Sequence, residues 1–242
     1  SDVKDVCGSY PAVYGWGLRP VAMGDEITRN RYRMTSAFER GGINTMEWHQ
    51  YDPGERGFYA SDVGNERIVA TLLPGGQYHE LYQEKLRRIA LYMKSLRGEQ
   101  GQSIPVIFRP YHEHTGDWFW WGQAHCTQQE FVQIWQFTID YLRDSLNVHN
   151  FLIAYSPASP SGKTEYLDRY PGDDYVDILG FDNYISGAIS AGDIANLVRQ
   201  TRDVVEMAEE RDKVAAITET GREALDIHDW FTRVILDPVT SD

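Results

Sequence analysis

Two glutamates have the surroundings that acid–base or nucleophilic chemistry requires. Glu113 closes the run VIFRPYHE and Glu219 lies in AAITETG, so each follows an apolar stretch directly. A carboxyl at the end of a buried strand sits beside low-dielectric material, where its pKa can be tuned for proton transfer or attack on carbon. The two are 106 residues apart, the length of three βα units of about 35 residues each. In a closed barrel of eight parallel strands, positions three apart face each other across the mouth. Carboxylates roughly 5 to 5.5 Å apart suit double displacement at a sugar carbon, one as acid/base and one as nucleophile. Taken singly, either Glu could instead form a structural bridge with a neighbouring Arg.

Other polar groups gather at the same places. Arg109 and His112 precede Glu113, while Asp182 and Tyr184 end the run VDILGFDNY, and Trp48 and His49 end INTMEWH. His112, Glu113 and His114 invite a metal reading, but the zinc-hydrolase pattern is HExxH on a helix, and here HEH follows a strand. No metal and no cofactor are expected. The run DWFWWG places four aromatics in succession between Asp117 and Gly122, and four such side chains cannot all face one interior. Some must line a cleft, where flat apolar faces suit the C–H faces of sugar rings. For His49 the competing reading is a core histidine bonded to backbone.

These residues need a scaffold, and the chain supplies strands alternating with helices. Strand candidates are residues 12–16, 43–49, 105–113, 151–156, 176–184 and 214–221, several of them almost continuously apolar, as parallel strands covered on both faces are. Between them, Tyr82, Leu86, Ile89, Met93 and Leu96 keep helical spacing up to the stop signal Gly98. A capping box, Thr127-x-x-Glu130, opens a second helix with Phe131, Ile134, Trp135, Thr138 and Leu142 on one face. A third carries Ile194, Leu197, Val198, Thr201, Val204, Val205 and Ala208. Alternation of this kind builds either a doubly wound sheet or a (β/α)8 barrel. There is no GxGxxG after the first strand and no GxxxxGK[ST] anywhere. The polar residues collect at strand C-termini, where barrel active sites form, and this favours the barrel.

Composition narrows the partners. The 242 residues carry a formal net charge of −13, which disfavours nucleic acid and anionic membrane surfaces and suits a neutral substrate. No apolar run approaches the roughly 18 to 20 residues of a membrane span. The opening SDVKDV shows no secretory signal pattern. Cys7 and Cys126 are read as two separate thiols, with a single bridge as the alternative. Nothing splits the chain, so residues 1–242 are read as one domain.

In sequence order, DVKDVCGSYPAVYGW, GGINTMEWH, RPYHEHTGDWFWWG, YPGDDYVDILGFDNY and ITETG resemble glycoside hydrolase family 26, the retaining β-mannanases and their relatives. The resemblance implies a (β/α)8 barrel with Glu113 as general acid/base after its fourth strand and Glu219 as nucleophile at the end of its seventh. It further implies that His112 and Arg109 position these two, that Tyr184 hydrogen-bonds the nucleophile, and that Trp118 and Trp121 line the sugar subsites. Trp48, His49 and Asp182 complete the substrate-binding set. The implied activity is endo-cleavage of β-1,4-mannosidic bonds in mannan, glucomannan or galactomannan by a secreted or periplasmic monomer. Mixed-linked β-glucan or β-1,3-xylan hydrolysis and a non-catalytic carbohydrate-binding barrel are the alternatives.

Two departures stand out. HEHTG replaces the HEMNG of many members, which bears on subsite contacts just past Glu113. Only six strands are visible, the family's second to seventh, so its first is expected before Ser1 and its eighth after Asp242.

Overall fold

The computed structural model describes residues 2–25, 28–222 and 227–241. Six strands, β1 (Val13–Gly17), β2 (Ile43–Glu47), β3 (Val106–Arg109), β4 (Phe151–Tyr155), β5 (Ile178–Tyr184) and β6 (Val214–Gly221), form one sheet in sequence order. Every pairing is parallel. Winding in a single direction, with no reversal of strand order, is the barrel pattern rather than the doubly wound one. The sheet curls as part of a (β/α)8 barrel whose edges, among the described residues, are β1 and β6.

Five crossover helices cover the outer face: α1 (Thr28–Glu39), α2 (His79–Ser95), α3 (Gln128–Asp140), α4 (Lys163–Asp168) and α5 (Ala191–Glu210). Their inward stripes follow the sequence pattern, with Tyr82, Leu86, Ile89 and Met93 buried on α2 and Leu197, Val204 and Ala208 on α5. The capping box before α3 forms as read: Thr127 Oγ1 accepts from the Glu130 N–H at 3.2 Å and Glu130 Oε2 accepts from the Thr127 N–H at 2.8 Å. Cys7 is exposed and Cys126 buried, and neither is in a disulfide. No helix of the described residues is long and apolar enough to cross a membrane.

Two local departures from the strand reading matter for the site. The third strand ends at Arg109, four residues before Glu113. Pro110 follows with no N–H to continue the ladder, and the chain turns through Tyr111 and Glu113 at φ of 46° and 56°. Glu113 therefore stands on a tight left-handed turn, not on a strand end. In β6 the register against β5 shifts, Phe181 pairing with Ile217 but Asp182 with Glu219. Thr218 is the extra residue of a β-bulge, and the bulge returns Glu219 to the face that Asp182 occupies.

Candidate active site

The site is built around one guanidinium. Arg109, 5 % exposed at the end of β3, donates from Nη1 to Asp182 Oδ2 at 2.8 Å and to Ser156 Oγ at 3.1 Å. Its Nη2 donates to Glu219 Oε1. Thr218 Oγ1 holds the second Asp182 oxygen at 2.6 Å, so the bulge residue and the residue after it both serve the cluster. Burial drives the Asp182 carboxyl up to about 7, with Arg109 and Thr218 pulling the other way and the Glu113 charge adding to the rise.

Glu219 has a second contact, the Tyr184 hydroxyl, which donates to Oε2 at 2.8 Å. A cation on one oxygen and a hydroxyl donor on the other are the partners of an ionised carboxylate. Glu113 has a different environment. Burial raises its carboxyl above the ordinary range, opposed by the Trp118 Nε1–H donated to Oε2 at 2.7 Å and by the Arg109 charge. Its backbone is pinned by Glu113 N–H to Ser156 O at 2.7 Å and by Gly116 N–H to Glu113 O at 2.9 Å. Gly116 has to be glycine, because a Cβ there would meet the Trp118 ring at 2.2 Å.

Carboxylate oxygens of Glu113, Asp182 and Glu219 lie within 4.8 Å of one another. The trio could also close on a metal ion, but Arg109 already bonds two of its members. His112 and His114 do not converge on a common point. His112 Nε2 meets His49 Nε2 at 3.3 Å, while His114 is buried between Phe131 and Tyr155 with neither ring nitrogen hydrogen-bonded among the described residues. Burial holds both rings well below the ordinary histidine pKa.

The tryptophans divide. Trp118 is 44 % exposed and lines a cleft of about 360 Å³ with Glu113, Thr115, Ser159, Asp182 and Tyr184. Trp121 was expected to line the sugar subsites with it, yet it is fully buried, donating Nε1–H to His112 O at 2.8 Å and stacking on Phe119. Trp48 is likewise buried, stacked on Tyr82 behind the sheet. Side chains alternate along the chain after β2, so Trp48 turns outward when His49 turns to the cleft. A second cavity of about 270 Å³ holds Glu219, Arg109 and Thr218 together with Trp16, Thr45 and Glu47. At the opposite end of the strands, an apolar cavity of about 350 Å³ lined by Phe38, Ile43, Val106 and Leu152 carries no group that could do chemistry.

Sequence reasoning missed Ser156, Thr218 and Glu47. The first two end or interrupt strands beside residues that were singled out, and a hydroxyl at a strand C-terminus was the available signal. Glu47 sits two residues before His49, a same-face spacing on a strand that was equally available.

Comparison with known proteins places this geometry. Over 239 residues, 91 % of this chain, it is 38 % identical to a mannan endo-1,4-β-mannosidase of Bifidobacterium adolescentis, of which it covers 23 %. A mannan endo-1,4-β-mannosidase of Bacillus subtilis is 29 % identical over 203 residues, 78 % of this chain and 54 % of that protein. The chain thus spans about half or less of the length of these relatives. Among solved structures, a GH26 β-mannanase from Bacteroides ovatus superposes with a TM-score of 0.93 at 36 % identity, covering all of this chain and 71 % of that one. The glycosyl hydrolase family 26 profile matches residues 1–233, and the chain belongs to that family.

Proposed function

We propose that this chain carries the catalytic site of a retaining, endo-acting β-1,4-mannanase. The observation that supports this best is the approach of Glu113 and Glu219 to within 4.8 Å between carboxylate oxygens, each with partners suited to a different role. That spacing fits double displacement, since an inverting pair stands roughly 6.5 to 9.5 Å apart to admit a water.

In this reading Glu219, held by Arg109 and Tyr184, attacks the anomeric carbon. Glu113, whose hold on its proton burial strengthens, donates to the leaving glycosidic oxygen and then, as base, takes a proton from the water that releases the glycosyl-enzyme. The Trp118 indole hydrogen-bonds Glu113 and offers its exposed face to the sugar beside the scissile bond. Asp182 orients Arg109, while His49, beside His112, belongs to the substrate-binding set on the Glu113 side, and His112 acts through the turn that bears Glu113. Mannan is favoured because the relatives bear that activity in their names, and a neutral polymer suits a chain of net charge −13. We further propose that residues 1–242 belong to a single catalytic barrel domain, acting as a monomer outside the cytoplasm, where a polymeric substrate is met.

The test is product analysis on linear β-1,4-mannan, with mixed-linked β-glucan alongside. A ladder of manno-oligosaccharides is expected, and mannobiose alone would make the enzyme exo-acting. Products from glucan alone would move the substrate, and no product from either would leave the binding-only reading. Full turnover in EDTA is expected.

A further inference from the structure

The brace behind Glu113 begins on a neighbouring strand. Glu47 is the last residue of β2 and pairs in register with Arg109 of β3. Its Oε2 accepts from the His49 backbone N–H at 3.0 Å and lies 2.6 Å from His49 Nδ1. Gly17 on β1 leaves the room, since a Cβ there would come within 3.0 Å of Glu47 Oε1. The other ring nitrogen of His49 faces His112 Nε2 at 3.3 Å, and His112 is only 1 % exposed.

Two facts assign the protons. A bare Nδ1 at 2.6 Å from a carboxylate oxygen would set lone pair against lone pair, so His49 carries its proton on Nδ1. In the neutral ring Nε2 is then the acceptor, and it takes the His112 Nε2–H. What remains without a partner among the described residues is His112 Nδ1, which in this assignment is a bare nitrogen rather than an orphaned N–H. His112 in turn lies between Tyr111 and Glu113, the two residues held at positive φ, and Trp121 bonds its carbonyl.

We propose that Glu47 is a positioning residue: by holding the His49 proton on Nδ1 it lets His49 receive His112, and so pins the turn that carries Glu113. This rests on the proposed function only for its effect on turnover. The chain of contacts can be read without it.

The experiment compares the full chain with E47Q and E47L, which are of similar size, so that only the oxygen acceptor differs. Long-range ¹H–¹⁵N correlation of the imidazoles reports the His49 tautomer. Wild type and E47Q are expected to show it protonated at Nδ1, and E47L to lose that preference. On manno-oligosaccharides E47L should lower kcat roughly 10- to 100-fold with KM little changed, because a misplaced reacting group costs up to about 100-fold. E47Q, which keeps an acceptor, should lose only a few-fold. The proposal is overturned by an Nε2–H His49 in the wild type, by an unchanged tautomer in E47L, or by equal kcat losses in the two variants. A wild-type chain with no turnover on any mannan would remove the proposed function, while the tautomer measurement would still decide whether Glu47 holds His49.

Discussion

The two walls of the site carry the same side chain and tune it by different means. Glu113 stands on a turn fixed by backbone hydrogen bonds and packed on buried aromatics, and desolvation sets its proton affinity. Glu219 stands on β6, an edge of the described sheet, and its surroundings are charged: Arg109 on one oxygen and the Tyr184 hydroxyl on the other. An acid is made here by removing water and a nucleophile by supplying a cation. The acid wall therefore depends on packing and the nucleophile wall on a few polar contacts.

Substitutions can break that contrast, the largest effect coming from Glu219→Ala. Without the nucleophile no glycosyl-enzyme forms, and turnover on mannan should fall by about 10⁴-fold or more, while affinity for manno-oligosaccharides by calorimetry is retained. Activity close to wild type would mean that Glu219 is only Arg109's structural partner. Glu113→Ala should cost about 10² to 10⁴ in kcat/KM on mannan but far less in kcat/KM on an aryl glycoside whose leaving group needs no proton. Equal losses on both substrates would assign Glu113 some role other than acid.

A smaller change tests the tuning itself. The Trp118 hydrogen bond favours ionised Glu113, so Trp118→Phe should raise the Glu113 pKa further. The alkaline limb of kcat/KM, which marks loss of the acid's proton, should then move to higher pH. A limb moving down, or staying, would show that Trp118 does not set the proton affinity. The smallest effect concerns His114, buried and held neutral. Its folded-state pKa lies below its unfolded value of about 6.5, so the unfolded chain takes up more protons as the pH falls. Its contribution is fully present above that value and is lost progressively below it. His114→Met should make urea-unfolding stability less dependent on pH between about 6.5 and 4, and an unchanged slope would mean that the ring finds a partner for its proton.

Much of this was legible before the structure. The alternation of apolar strands and capped helices located all six strands, because parallel strands and amphipathic helices leave clear periodic marks. Glu113, Glu219, Arg109, Asp182 and Tyr184 meet in space because each lies at or just past a strand C-terminus. The face a side chain chooses was not legible. Strict alternation along β6 puts Glu219 on the face opposite Ala216 and Thr218, and only the bulge at Thr218, a tertiary feature, brings it in. The same limit hid the split among the aromatics: Trp121 lies in the core because nothing in a run of four aromatics says which of them a turn will expose, and Trp48 because it takes the face opposite His49. Glu47 shares a strand face with His49, a spacing visible in the sequence, but which ring nitrogen meets its carboxylate is fixed only by the fold.

The division of the tryptophans also has an optical consequence. Trp118 is 44 % exposed, whereas Trp48, Trp120, Trp121, Trp135 and Trp230 are at most 2 % exposed. A collisional quencher such as iodide will reach the Trp118 indole in preference to those five. Because that indole donates to the Glu113 carboxylate, its emission should follow both the proton on Glu113 and the arrival of a sugar. The protein thus carries a native fluorophore at the point where its proposed reaction begins.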